Sequence, residues 1–529
     1  MKIAIIGSGL SSTSAAKALI KRGIKPILLD IGQNLDSKSQ NIVDRMSRLE
    51  PEEWDEKDRK YIIKNPTVNP PYKSPKKLYF GSDYFYGKSF KELPFKSDEH
   101  PPMFTHARGG LSVGWGASIL PPADSDLATW PIKNKILHPH FKRVLEDLPY
   151  SAVNDELNSD FPIFINSNNG IKLSAGNKTI LDDFKRSKII EDNSITFGQS
   201  RLLVQKNDSS SRTGCKMCGH CMSGCVYGSI YKSDQDIKKL SSNGLIDYRD
   251  QSIVKSFTEK DGKVEIYYLN KNRDINVIYV DKVLVGAGAV NTARLVLESK
   301  KWFNKVLKLK STVGMIIPLI RLKKLPYEWP NTNTMPQIFL EFKVPEISDH
   351  WVHSQIGTPN ELVYRKLNID SKQSNFYKNI KRYFSRHLIT SLCNMHSDHA
   401  NGFLLTLNRS KNNNSNLLTS VSENDEQVLL NIKKALSRFT SITKKAGYYV
   451  LTPMVSYSYK GNGGHVGGTF PMKKKPQKEF ETDTLGRLSG WENIHIIDSS
   501  IFPSLPGTTI GLLAMANARR IASEIELKI

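Results

Sequence analysis

Residues 2–30, KIAIIGSGLSSTSAAKALIKRGIKPILLD, decide the fold. A short apolar run over residues 2–6 enters a glycine turn. The small and apolar residues that follow suit a helix packed closely on a sheet, and a second apolar run ends at Asp30. Strand, turn, helix and strand in that order make one βαβ unit of the doubly wound type. Gly7 permits the tight turn, Gly9 lets the backbone approach a pyrophosphate, and the helix presents its positive N-terminus. The third position of this fingerprint is Ser12, small enough for close packing but not a glycine. Asp30 is placed to accept hydrogen bonds from a ribose diol. These elements predict dinucleotide binding and do not by themselves separate FAD from NAD.

Further along, residues 36–100 carry mixed charge and many prolines, including NPTVNPPYKSPKK, and read as a surface insertion. Strands are predicted around SIVKSF and KVEIYYLN. The run VLVGAG then reaches a turn at Gly286 and continues into a helix. The last 65 residues return to strand, Gly-rich turn and helix. The expected fold class is α/β, with a doubly wound, Rossmann-like nucleotide domain assembled from discontinuous segments. Those segments are residues 1–35, 101–120, 201–300 and 461–529, with a cysteine-rich loop at 212–230. Residues 121–200 and 301–460 form an α+β substrate domain on a mixed or antiparallel sheet.

A chain of 529 residues exceeds one ordinary core, and 39% hydrophobic with 24% charged residues is a globular composition. The apolar runs, such as VGMIIPLI, fall short of the roughly 18 residues that cross a bilayer. The net charge of +23 comes from scattered lysines, with one dense cluster at Lys473, Lys474 and Lys475. It reads as a solvated basic surface, and peripheral contact with an anionic surface is the specific alternative. No RNA-recognition or zinc-finger spacing accompanies it, so no nucleic-acid partner is expected. The first residues enter a strand without the pattern of a signal peptide, which predicts a cytoplasmic protein whose five cysteines form no structural disulfides.

Four of those cysteines, Cys215, Cys218, Cys221 and Cys225, form a C-x2-C-x2-C-x3-C run with Gly219 and Gly224 inside it. That spacing is the bacterial ferredoxin arrangement and predicts an iron-sulfur cluster, 4Fe-4S in preference to 3Fe-4S. Zinc or metal-free thiols are the alternatives. In two-cluster ferredoxins the fourth cysteine serves the other cluster, so the fourth ligand is Cys225, the distant Cys393, or absent.

Several segments together resemble the glucose-methanol-choline (GMC) oxidoreductase family: HARGGLSVGWGASILPP, GAGAVNTARLVLES, GGHVGGTFPM, and NIHIIDSSIFPSLPGTTIGLLAMANARRIASEI. The resemblance implies FAD as cofactor. It implies that Gly109 and Gly110 pass close to the flavin, that Val254 lies beside the adenine, and that Asp498 sits near the ribityl and pyrophosphate region. It further implies that His465 is the catalytic base, a role suited to an imidazole taking a hydroxyl proton while hydride leaves for the flavin. Five glycines within residues 461–468 leave room for a ligand beside it.

One position departs from the family. Eleven residues past the aspartate, where the family usually has a second His or Asn, stands Thr509. A threonine hydrogen-bonds a hydroxyl but is a poor base. Thr508, Thr509 and Ile510 also begin a helix whose N-terminal amides suit negative charge on a reduced flavin, although Thr509 as a plain N-cap explains it equally. The cysteine run resembles in position the iron-sulfur segment of bacterial FAD glucose dehydrogenases, with different spacing.

Together these imply an FAD-dependent dehydrogenase acting on an alcohol, a sugar or glycoconjugate hydroxyl, with electrons leaving through the cluster to a protein or quinone acceptor. The rivals are a flavoprotein running a redox-neutral or reductive reaction, and a non-catalytic binding protein.

Overall fold

The computed structural model describes residues 1–63, 78–87, 90–98, 100–326, 329–366, 375–410, 415–458 and 464–527. The proline-rich stretch 65–77 of the expected insertion lies outside them, as do Gly461 and Gly463. The fold is mixed α/β with several sheets.

The first strand, Ile3–Ile6, is buried at every residue, as expected of a strand covered on both faces. It is central in a five-stranded sheet ordered Ile494–Ile496, Lys282–Val285, Ile3–Ile6, Ile27–Leu29 and Asp247–Arg249. Every neighbouring pair is parallel. Strands from residues 3 to 496 thus close one sheet, which is the discontinuous assembly expected from the sequence.

The helix Leu10–Lys21 packs on Gly511–Glu524, the last helix of the chain. Small residues permit the approach: Ala15, Ala16, Ala516 and Ala518 are all fully buried. Arg22, just past the first helix, donates to the carbonyls of Ala522 and Ile525 at 2.8 and 2.9 Å, satisfying acceptors that the last helix leaves open.

A second sheet has seven strands, all antiparallel. Its main path is Tyr448–Val450, Val313–Arg321, Leu388–Met395, Ser348–Gly357, Ile338–Val344 and Ile195–Gln199, with Ser456–Tyr457 also on Val313–Arg321. One face of this sheet buries Met315, Ile317, Leu340, Phe342 and Cys393 against the helix Glu426–Lys445, through Ile432 and Phe439. The opposite face carries polar residues. A further sheet joins Val466–Gly467, Val306–Ser311, Phe403–Asn408, Leu417–Ser422 and Phe95–Ser97. Its apolar residues, among them Leu309, Leu405 and Leu418, belong to the same core as the parallel sheet. Among the described residues no helix is long and apolar enough to cross a membrane.

The clasp between the first and last helices yields a prediction. Arg22→Ala removes two charge-assisted bonds and is expected to lower stability by about 1–3 kcal/mol in urea unfolding. An unchanged midpoint would show that the ends are held by the alanine packing alone.

Candidate active site

The turn Gly7-Ser8-Gly9 connects the central strand to its helix, and neighbouring backbones crowd it. Gly7 has φ +96°, and a Cβ there would stand 2.6 Å from the carbonyl oxygen of Gly286. A Cβ on Gly110, φ +61°, would stand 2.9 Å from Cα of Gly9. Ser12 donates to the Gly286 carbonyl at 3.1 Å, so the hydroxyl adds a bond where a glycine would only fit. Gly7, Gly9, Ser12, Gly109, Gly110 and Gly286 are thus one closely packed cluster of backbone, in which Gly9 and Gly110 are partly exposed and the others are buried.

Ser8 links this cluster to Asp30. Its hydroxyl donates to Asp30 Oδ2 at 2.5 Å and accepts the amide of Gly109 at 2.9 Å. Tyr248 donates to the same carboxylate oxygen at 3.0 Å. Burial pushes Asp30 up to about 6, against the pull of these two donors. Oδ2 is thus occupied twice, and the Gly32 amide bonds the same carboxylate. The carbonyl of Asp30 accepts the amide of Ser252, which brings Val254 and its strand Ile253–Lys260 alongside.

Asp498 follows the edge strand Ile494–Ile496 and is only 4% exposed. Its Oδ2 accepts the Gly288 amide at 2.8 Å and the Thr292 hydroxyl at 2.6 Å, while Oδ1 accepts the Ser500 amide at 2.9 Å. It thereby caps the helix Ala289–Lys300, which has no capping side chain of its own. Burial raises its pKa against these donors. The neighbouring Ile497 side chain lies 3.2 Å from a Cβ built on Gly286, so Asp498 adjoins the glycine cluster.

His465 reaches the same region through backbone pairing. Val466–Gly467 and Gly468 lie against residues 499–502, with the Ser499 hydroxyl on the Val466 carbonyl at 2.7 Å and the Gly468 amide on the Ser499 carbonyl at 2.9 Å. His465 is half-buried, and its Nδ1 is shielded with no hydrogen-bond partner among the described residues. Burial first, and the charge of His353 second, lower its pKa to about 4. The ring is therefore neutral and able to accept a proton at pH 7.

Thr509 Oγ1 accepts the Leu120 amide at 2.8 Å, leaving its own proton to donate. Thr508 Oγ1 is buried without a hydrogen-bond partner among the described residues. Ile510 starts the helix Gly511–Glu524, and a Cβ on Gly511 would stand 3.5 Å from Leu10. The 508–511 segment thus flanks the fingerprint turn. Its neighbour Gly507 lies against the backbones of Trp351, Asn394 and His396, at the edge of the antiparallel sheet.

On that sheet stands a pair that sequence reasoning did not single out. Glu341 and His353 are register partners, both 0% exposed, with His353 Nδ1 2.6 Å from Glu341 Oε1. Thr196 extends the row on one side and Asn394 and Gly314 on the other. Burial raises the pKa of Glu341, and the second oxygen of its carboxylate has no hydrogen-bond partner among the described residues. The alternating polar residues of EFK and WVHSQ were the available signal, but the pairing needs the register.

The four run cysteines are half-buried free thiols that interact electrostatically with one another. The Asn333 side-chain amide donates to Cys215 Sγ, and the Thr334 backbone amide to Cys221 Sγ, each at 3.4 Å. Gly219 and Gly224 both hold positive φ, and a Cβ on Gly224 would stand 2.7 Å from the Phe80 ring. Burial pushes Cys218 up to about 12 and raises Cys215 and Cys221 as well.

Cys393 lies apart, fully buried in the core of the antiparallel sheet. A tetrahedral zinc site needs sulfurs about 3.8 Å apart, from Zn–S bonds of about 2.3 Å. The cysteines are not among the groups of three close ligand atoms found in the described residues. The group found is His350, His396 and Asp398, within 4.8 Å. There His396 already accepts the Asp398 amide and contacts the Asp126 carbonyl, so both its ring nitrogens are engaged.

A parallel sheet is thus joined to an antiparallel sheet through residues 498–511, with His465, whose Nδ1 has no partner among the described residues, paired onto that connection. Residues 404–518 match the family model described as GMC oxidoreductase. Across 98% of both chains the fold is similar to the crystal structure of pyridoxine 4-oxidase from Mesorbium loti, with a TM-score of 0.60 and 13% identity. No curated protein matches the sequence. The fold is therefore that of the GMC enzymes, with a Rossmann-like domain and a sheet-based substrate domain, and the C-terminal region carries their sequence signature.

The Asp498 cap can be tested on its own. Asp498→Ala leaves the Gly288 amide and Thr292 hydroxyl without their acceptor, and stability is expected to fall by about 1–3 kcal/mol in chemical denaturation. A loss within a few tenths would mean water replaces the carboxylate.

Proposed function

We propose that this chain is an FAD-dependent dehydrogenase that oxidises an alcohol, a hydroxyl of a sugar or glycoconjugate, with His465 as base. The carrying observation is that His465 and the glycine cluster meet through one short segment, residues 498–511, which caps one helix and begins another. Gly7, Gly9, Gly109, Gly110 and Gly286 would hold the cofactor, their lack of side chains leaving room for close approach, with Ser12 packed behind them. Asp30 would take the ribose, Val254 would border the adenine, and Asp498 would serve the ribityl and pyrophosphate region. The bound flavin supplies a two-electron hydride acceptor.

The protein's own part is the proton. His465 is neutral at pH 7 because burial lowers its pKa to about 4, so a ring nitrogen is available to the substrate hydroxyl. Thr509, its oxygen already accepting from Leu120, donates to the substrate oxygen and orients it. His353, held by Glu341, lies within electrostatic reach of His465 and helps keep it deprotonated. Thr508 and the first turn of Gly511–Glu524 would supply donors to negative charge on the reduced cofactor.

For the electron exit we propose an iron-sulfur cluster on Cys215, Cys218, Cys221 and Cys225. Its support is the ferredoxin-type spacing, the mutual influence of the thiols, and the amide donors on two sulfurs. A cluster there carries electrons one at a time. That suits a protein or quinone acceptor, in contrast with the oxygen use that the name of the M. loti enzyme denotes.

Anaerobic purification is expected to yield a flavin absorption spectrum together with iron and acid-labile sulfide. Flavin without sulfide removes the cluster and leaves the alcohol reading standing. On mixing with a panel of alcohols and sugars, at least one should bleach the flavin, and His465→Ala should slow that bleaching about 100-fold or more. With the active substrate, the bleaching rate should hold from pH 7 to 5 and fall only as pH drops through about 4, where His465 gains its proton. A midpoint near the ordinary histidine value would assign the base elsewhere.

A further inference from the structure

At the outer end of the antiparallel sheet, two segments are knitted together away from the site just described. The turn after the strand Val313–Arg321 meets the end of the helix Asn375–Ser385. The Arg321 amide donates to the His387 carbonyl at 2.9 Å, and the Leu325 amide to the Arg386 carbonyl at 2.8 Å. The Arg386 guanidinium returns a bond to the Leu325 carbonyl at 2.9 Å. The Lys324 ammonium lies 4.0 Å from the Tyr383 ring centre.

This joint presents large apolar groups to water. Leu322 is 73% exposed, Phe384 66%, Tyr383 47% and Ile380 37%. Ile380, Tyr383 and Phe384 stand at i, i+3 and i+4 on one helical face. Basic groups surround them. Residues 319–326 and 379–388 contain Arg321, Lys323, Lys324, Lys381, Arg382 and Arg386 and no acidic residue. The carboxylate that packs nearby, Asp183, is bound by Arg321, Arg186 and the Tyr448 hydroxyl. Lys323 and Arg382 keep their charge toward solvent.

We infer that this patch seats on an anionic lipid bilayer, with Leu322, Tyr383 and Phe384 entering the headgroup boundary and Lys323, Lys324 and Arg382 meeting lipid phosphates. Aromatic and aliphatic tips on one side with a lysine and arginine collar are the chemistry of an interfacial helix. Charge decides against a second copy as the occupant, since the chain bears +23 and would set two basic patches face to face. The inference is independent of the redox reading, because no residue of the patch belongs to the proposed active site.

The test is cosedimentation of the full-length, cofactor-loaded protein with vesicles of phosphatidylglycerol and phosphatidylcholine, and with vesicles of phosphatidylcholine alone. Binding to the anionic vesicles, weakened at high salt, is expected. The triple variant Leu322→Ser, Tyr383→Ser, Phe384→Ser changes exposed positions only and is expected to bind at least tenfold more weakly with an unchanged flavin spectrum. The pair Lys323→Glu, Lys324→Glu should do the same. The inference is overturned if the wild type ignores both vesicles, binds both equally, or is unaffected by either variant. It is equally overturned if sedimentation velocity shows these residues joining two copies of the chain.

Discussion

The constraint on which this structure depends is the missing volume at Gly7, Gly110 and Gly286. Three backbones from residues about 100 and 280 positions apart meet where one added carbon at Gly7 or Gly110 would lie within 3 Å of another main chain. Their contact decides where the central strand ends, where the first helix begins and where the 109–110 segment crosses. Ser8 and Ser12 then fasten the contact with hydroxyls, one to the Gly109 amide and Asp30, the other to the Gly286 carbonyl. The amides of Gly7, Gly109, Gly110 and Gly286 are all satisfied within this packing, by Leu29, Ser8, Ala107 and Ile6, so the turn is held in place before any ligand is considered.

The two sheets divide the labour that follows. The strands Ile3–Ile6 and Ile27–Leu29 of the parallel sheet are apolar on both faces and present only their ends. The antiparallel sheet is apolar toward the helix Glu426–Lys445 and polar on the side of Glu341 and His353. Residues 498–511 lie between them, one end capping the helix Ala289–Lys300 and the other seated on the backbones of Trp351 and Asn394. A single connection therefore fixes the distance between the glycine cluster and the substrate sheet. His465, paired onto the same connection, moves with it.

How much of this was legible in the sequence follows the range of the interactions. The βαβ unit was readable because glycine, small residues and an apolar run stand within 30 positions, and each imposes a local conformation. The return strand at VLVGAG and the closing helix were readable for the same reason. Asp30 was legible as an acid at a strand end, but not that Tyr248, 218 residues away, already holds one of its oxygens. The Glu341–His353 pair was not legible, since a single glutamate and histidine on alternating strands look like ordinary surface positions until the strands are laid in register. Cys393 stood as a rival fourth ligand by count alone, and the topology sets it in the other core.

The polar row across the antiparallel sheet has a bearing on how the chain finds its fold. Thr196, Glu341, His353 and Asn394 stand side by side on successive strands, while their immediate neighbours Leu340, Phe342, Val352 and Cys393 point into the opposite, apolar face. Side chains alternate along a strand, so sliding any one strand by a single residue would drive a carboxylate or an imidazole into hydrocarbon and turn a leucine or phenylalanine outward. The same row that borders the chemistry thus acts as a registration mark, penalising every misaligned pairing of the strands as they come together.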